Sequence, residues 1–344
     1  MQISDTVRSF IGIASACLGA FVFHQIGFPV APLTGSALAV SIASLLGARV
    51  PLPLPVRNLI LCLLGINIGT AVTPEMLRSA INWPLSIAVL AAALVLAMSV
   101  SRITLSRWFG YDRRTATLAA APGHLSYVLS IAADARLDVP MVAISQSIRV
   151  LFLTLCVPAL VAGLFGATGR TILPATLMPV LPMALLVGAA VVAGLVLNRL
   201  RLPAAFLLAG MVVSIFGHAT DVTPGRLPDF IVAGSLMGMG ALIGSRFVGV
   251  QWAELRRAVV AGLWITCVNI AVTLLAVAVV AFGLGVSWPQ GIVAFAPGGV
   301  EAMAAIGIAL GMDPAFVAAH HLARLLLLTV LVPFMTRQTS GPTS

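Results

Sequence analysis

Two short stretches decide the fold: Pro122-Gly123-His124-Leu125-Ser126, and 175 residues later Pro297-Gly298-Gly299-Val300-Glu301. Each lies inside an apolar run, where a continuous helix would avoid a Pro-Gly pair. Without gaps, the same displacement puts Ile131 on Ile306, Asp138 on Asp313, Val142-Ala143 on Val317-Ala318, Arg149 on Arg324, Thr154 on Thr329 and Pro158 on Pro333. It also puts Gly65 on Gly240 and Gly69 on Gly244. Pro, Gly, Asp and Arg falling in one register mark an internal duplication, with residues 1–168 as the first membrane repeat and 169–344 as the second.

The surroundings of these stretches are those of a membrane protein. Of 344 residues 60% are hydrophobic and 8% charged, with a mean hydropathy of +1.11; a soluble domain carries about 25% charged residues. The 19 basic residues are all arginine and set a net charge of +9. That charge would suggest nucleic acid in a soluble protein, but the arginines sit in short gaps between apolar runs, as in cytoplasmic membrane loops. No nucleic-acid partner is expected, and the longest polar gap, around Ser101 to Arg114, is too short for a DNA-reading domain. Cys17, Cys62, Cys156 and Cys267 each lie within an apolar run at no metal or disulfide spacing. The run after Arg8 continues to Ile26 without the polar region that follows a cleaved signal.

A span needs about 20 apolar residues. Twelve hydrophobic elements follow, at roughly 10–27, 29–47, 57–73, 83–101, 115–134 and 139–165, then 174–197, 203–217, 229–247, 258–284, 288–310 and 314–335. In the first half, the gaps after elements two and four hold Arg49, Arg57, Arg102, Arg107, Arg113 and Arg114, while those after one, three and five hold Arg78 and Arg136. In the second half Arg199, Arg201, Arg246, Arg256 and Arg257 follow the equivalents of one and three, and only Arg226 follows those of two and four. Arginine-rich loops stay in the cytoplasm, so the halves are expected in opposite orientations. Inversion requires an odd number of crossings per half. One of the six elements must therefore enter and leave on the same side, and the fifth, with its Pro-Gly break, is the best candidate. The expectation is an all-α polytopic membrane protein of two inverted-topology repeats, each of about five spans plus one re-entrant or broken element. Both termini then lie in the cytoplasm and Arg78, Arg170 and Arg226 outside.

Inverted repeats with interrupted helices are the build of many secondary transporters, whose sites sit mid-membrane at the repeat interface. The breaks free backbone N–H and C=O groups, and a half-helix N-terminus offers partial positive charge to an anion. A packing kink would explain one break; two in register favour a site. Arg149 and Arg324 lie about ten residues into their elements, near the bilayer middle. A charge there costs at least ~2.5–3.5 kcal/mol, which calls for a partner. That partner is either a carboxylate, from Glu301, Asp134, Asp138 or Asp313, or an anionic solute between two cations. Glu301 could carry a proton or sodium ion, or pack as a neutral acid, and its counterpart is Ser126. The candidate solute-binding set is Pro122, Gly123, His124, Ser126, Arg149, Pro297, Gly298, Gly299, Glu301 and Arg324.

Other polar residues have structural readings. Asp138 and Asp313 precede elements six and twelve and read as helix N-caps. Gly65, Gly69, Gly240 and Gly244 read as small-xxx-small packing pairs, and Asn67 and Asn269 as interhelical hydrogen bonders. His320 and His321 are adjacent, about 100° apart on a helix, and His24 and His218 are far off in sequence, so no metal or other cofactor is expected.

The repeated Pro-Gly break, the downstream Asp-x-x-x-Val-Ala run, and an arginine six residues beyond that alanine (Arg149, Arg324) resemble the duplicated AbrB membrane protein family of Gram-negative bacteria. The resemblance covers nearly the whole chain and is most specific from Ala296 to Arg324. It implies a multi-pass protein of the bacterial inner membrane. Members carry conflicting names: ammonia monooxygenase, regulator of gene expression, or uncharacterised membrane protein. The family is distinct from the small swapped-hairpin DNA-binding proteins that share its name. The first repeat has His124 where the second has Gly299.

A secondary transporter of a small anionic or zwitterionic solute, with proton or sodium coupling, accounts for inverted halves, breaks and mid-membrane arginines together. An indirect role in gene regulation through cellular solute levels is the alternative. A monooxygenase, the second alternative, would need a metal or cofactor cluster that the sequence does not offer. Not an enzyme, with lipid and a small solute as partners and a homo-oligomer allowed, is the sequence's reading.

Overall fold

A computed structural model of the chain describes residues 5–50, 52–72, 83–123, 125–166, 176–200, 202, 204–220 and 222–337. Its elements are α1 (Asp5–Gln25), α2 (Ala31–Leu45), α3 (Leu54–Thr70), α4 (Trp83–Trp108), α5 (Arg113–Ala120), α6 (Leu125–Asp134), α7 (Val139–Phe165), α8 (Val180–Arg199), α9 (Ala205–Ala219), α10 (Asp229–Gly244), α11 (Trp252–Leu284), α12 (Trp288–Phe295), α13 (Val300–Ala309) and α14 (Pro314–Arg337), with a short 3₁₀ turn over Ser245–Phe247. Among the described residues there are helices and no strand ladder, so the all-α expectation holds. Seven helices among the described residues are long and apolar enough to cross a membrane: α1, α4, α7, α8, α10 with its 3₁₀ turn, α11 and α14. Their outward faces carry exposed side chains such as Phe10, Phe21, Phe230, Phe282 and Phe334, a surface suited to lipid.

The expected fifth and eleventh elements are each cut in two. Eight-residue α5 and ten-residue α6 flank the Pro122-Gly123 break; eight-residue α12 and ten-residue α13 flank the Pro297-Gly298 break. Three other expected spans are short. α2 and α9 have 15 residues and α3 has 17, so each runs only ~22–26 Å at ~1.5 Å per residue, against a hydrocarbon core of ~30 Å. Two of them begin abruptly. Val30 (φ 53°) and Ala204 (φ 51°), each following a proline in the sequence, adopt left-handed backbone and start α2 and α9 there. These short helices are held inside the protein: nearly all of α3 from Ile60 to Thr70 is buried except Leu63.

Packing sorts the helices into two groups. In one, α3 lies on α9, α10 on α2, α1 on α2 and α8 on α9. In the other, α11 lies on α7 and α4, α12 and α13 on α14, and α5 and α6 on α7. Glycines make the first group possible. A Cβ on Gly65 would collide with the carbonyl oxygen of Leu207, one on Gly69 with that of Met211, and one on Gly210 with that of Cys62. Across the other pair, Gly240 meets Ser36 and the Leu33 carbonyl, and Gly244 meets Ser41. The small-residue expectation for these four glycines therefore names real interfaces, in which helix backbones touch.

Helix starts facing the breaks are fixed by carboxylates. Asp138 accepts from the amide of Met141 at 3.0 Å, and Asp313 from those of Ala315 and Phe316 at 2.9 and 3.1 Å, so both cap the helices that carry the buried arginines. Asp112 does the same for α5.

Gly65→Ala should destabilise the detergent-solubilised protein by about 1–3 kcal/mol, because its new methyl meets backbone that cannot swing aside. Gly188→Ala in α8, where a methyl would meet nothing, should be neutral or slightly stabilising; thermal unfolding of the two variants checks this.

Candidate functional site: two helix breaks and their arginines

A helix that ends inside a membrane leaves carbonyls that no water can reach. At the first break the last turn of α5 is met from α7. Gln146 Nε2 donates to the Leu118 carbonyl at 3.0 Å, and one turn on, Arg149 Nη1 donates to the Ala121 carbonyl at 3.2 Å. At the second break α14 does the same for α12: a ring nitrogen of His321 meets the Val293 carbonyl at 3.1 Å, and Arg324 Nη1 donates to the Ala296 carbonyl at 2.6 Å. All four bonds span 28 residues. Gln146 and Arg149, like His321 and Arg324, are three apart and share a helix face. The guanidiniums thus act as C-caps for half-helices, adding positive charge where the helix dipole is negative.

Arg324 goes further than Arg149. Its Nη2 donates to the Gly298 carbonyl at 2.8 Å and also to His321 Nδ1. An arginine only donates, so His321 Nδ1 must be bare, and its Nε2–H is the donor to Val293: the ring is a neutral Nε2–H tautomer. His320 turns away, with Nδ1 on the Phe316 carbonyl at 2.8 Å and Nε2 on Ser86 Oγ at 2.7 Å. Among the described residues no three His, Cys, Asp or Glu side chains come together as a metal-holding group.

Arg149 and Arg324 are the largest fully buried side chains, each 1% exposed. The expected carboxylate partner is not found among the described residues: Asp138 and Asp313 turn to backbone amides instead, and no ion pair joins Asp134, Asp138 or Asp313 to either guanidinium. Among the described residues the charges acting on the two guanidiniums are cationic. Arg324 lies in the field of Arg149, and Arg149 in that of Arg246. The result is a buried region of like charge with donors to spare, since Arg149 Nε and Nη2 and Arg324 Nε have no hydrogen-bond partner among the described residues.

Each break also touches the arginine-bearing helix of the other half. Gly123, at φ 114°, faces Leu325 and Leu328 of α14. Ala296 and Pro297 line a small apolar cavity of about 40 Å³, walled by Leu153, Cys156, Val157 and Leu160 of α7 and by Ile270, Thr273 and Leu274 of α11. Leu153 is one turn beyond Arg149 on the same face. Pro122, Gly123, Arg149, Pro297, Gly298, Gly299 and Arg324 are therefore gathered in one region. Ser126 and Glu301 lie in the first turns of α6 and α13, but their side chains, and the whole of His124, fall outside the described residues. Gln146 and His321, absent from the expected set, belong to it. Their signal was available in the sequence, since they occupy one register, a turn before each arginine.

With the geometry in hand, comparison with known proteins is informative. A family model described as "AbrB: Transition state regulatory protein AbrB" matches residues 32–340. The chain is 30% identical over 289 residues to "Uncharacterized protein YhjN" of Bacillus subtilis (strain 168), covering 79% of this chain and 75% of that one. It is 27% identical over 326 residues to "Putative regulator AbrB" of Escherichia coli (strain K12), covering 92% and 91%. The Bacillus relative extends the likeness beyond Gram-negative bacteria.

His321→Gln should be tolerated, because a glutamine already fills the matching place at position 146 and can donate to Val293 while accepting from Arg324. His321→Leu leaves the Val293 carbonyl and an Arg324 N–H unpaired and should cost roughly 1–3 kcal/mol; thermal unfolding in detergent distinguishes the two.

Proposed function

This chain belongs to the AbrB family of membrane proteins, and we propose that it works as a secondary transporter of a small anionic or zwitterionic solute, bound mid-membrane where the two breaks converge. The observation that carries the reading is a pair of buried guanidiniums beside two broken helices, repelling one another, with no carboxylate partner among the described residues. Such a site is costly for the protein alone and favourable once an anion enters.

Several matched features support an inverted duplication as its framework. The half-helices have equal lengths in the two breaks, and the capping bonds have equal reach. Pro158 and Pro333 sit inside α7 and α14. α3 packs on α9 while α10 packs on α2, the reciprocal exchange that a two-fold axis between halves produces. In this reading the protein sits in the bacterial inner membrane with both termini in the cytoplasm, couples to protons or sodium, and acts on no nucleic acid. Association into homo-oligomers would leave the site within each chain.

The name of the Escherichia coli relative, a regulator, favours a second reading, a role in regulating gene expression. A carrier can exert that role indirectly, by changing the cellular level of its solute.

In reconstituted vesicles, Arg149→Ala should insert and fold yet lose uptake by roughly tenfold or more, the scale of one lost charge-assisted hydrogen-bond pair. The solute for this assay is the one that most raises the melting temperature in a metabolite screen. Uptake equal to wild type would remove Arg149 from the site.

A further inference from the structure

The two arginines are matched in sequence but not in bonding, and the difference separates their roles. Of five guanidinium N–H groups, Arg324 commits three, to the Ala296 carbonyl, the Gly298 carbonyl and His321 Nδ1. Arg149 commits one, at 3.2 Å, to Ala121. The reason lies in neighbouring residues. Gly123, the counterpart of Gly298, has φ 114° and makes no described carbonyl contact with Arg149, whereas Gly298 supplies one to Arg324. Gln146, the counterpart of His321, donates its amide to Leu118 and makes no described contact with Arg149.

What Arg149 retains is Nε and Nη2, the two donors that form one straight edge of the guanidinium plane. Both are buried and unpartnered among the described residues. Two parallel N–H groups on that edge match the two oxygens of a carboxylate, and leaving them empty in a buried site is unfavourable. A tetrahedral oxyanion such as phosphate carries further oxygens, for which that edge has no donor left.

The geometry therefore assigns the solute-binding cation to Arg149 alone, through its Nε/Nη2 edge, with a small monocarboxylate as its ligand class, and makes Arg324 a structural clamp on the second break. This rests on the carrier reading for its purpose but not for its chemistry, because binding is measurable without transport.

The test is thermal unfolding of the full-length detergent-solubilised protein over a series of butyrate concentrations at constant ionic strength, with butyramide and inorganic phosphate as matched probes. Butyrate should raise the melting temperature of the wild type, and the other two should not. Arg149→Lys keeps the charge and the reach to Ala121 but lacks the paired donors. It should keep the ligand-free melting temperature and weaken butyrate roughly tenfold or more. Arg324→Lys cannot span two carbonyls and His321. It should lower the ligand-free melting temperature while its folded fraction binds butyrate within about twofold of wild type, less than one lost hydrogen bond would cause. A butyrate shift that survives Arg149→Lys, or a phosphate or butyramide shift equal to that of butyrate, overturns the assignment, as does lost butyrate binding in a fully stable Arg324→Lys. Should either lysine variant fail to fold, the comparison of butyrate, butyramide and phosphate on wild type still decides the ligand class. Butyrate binding without vesicle uptake of any carboxylate would sink the carrier reading and leave this assignment standing; uptake of another solute without a butyrate shift would do the reverse.

Discussion

A backbone carbonyl exposed by a helix break inside a bilayer has no water to turn to, and the rest of this protein is arranged around meeting that demand. Arg149 with Gln146, and Arg324 with His321, carry donors from long crossing helices to the last turns of α5 and α12. The price is two guanidiniums in the protein interior, with no ion pair to a carboxylate among the described residues. Charge placed to hold a break open thereby becomes charge available to an anion, which is how a structural necessity turns into a candidate binding site.

The glycine-lined interfaces complete the arrangement. α2, α3, α9 and α10 approach until backbones touch at Gly65, Gly69, Gly210, Gly240 and Gly244, forming a tight group beside the broken elements. The short helices α2, α3 and α9 survive in that group because neighbours, rather than lipid, cover most of their surface. The second group, around α7 and α14, holds both breaks and an apolar cavity beside the second.

Much of this was legible in the residues. Apolar runs and the Pro-Gly pairs located the helices and their interruptions to within a few positions, since Pro and Gly act on local backbone regardless of tertiary context. The caps at Asp138 and Asp313 and the glycine contacts followed from equally local rules. The arginines' partners did not. From composition alone a mid-membrane cation calls for an anion, and Glu301, Asp134, Asp138 and Asp313 were the available candidates; the Glu301 side chain lies outside the described residues, and the carbonyls that Arg149 and Arg324 meet belong to every residue and leave no mark in a sequence. The same holds for the unequal occupancy of the two guanidiniums, which depends on where Gly123 and Gly298 point their carbonyls. The brevity of α2 was hidden too, because Val30 gives no sign of the left-handed backbone it adopts, whereas α9 has the 15 residues of the apolar run expected there.

The central claim is that one ancestral unit is used twice in opposite senses, so that two interrupted helices meet from opposite faces. Side-specific labelling of single cysteines introduced at positions 107 and 200, in a background from which Cys17, Cys62, Cys156 and Cys267 are removed, addresses it directly. An impermeant thiol reagent should reach both positions from the cytoplasmic face and neither from outside. Labelling of the two positions from opposite faces would contradict the inverted architecture and the shared anion site built on it.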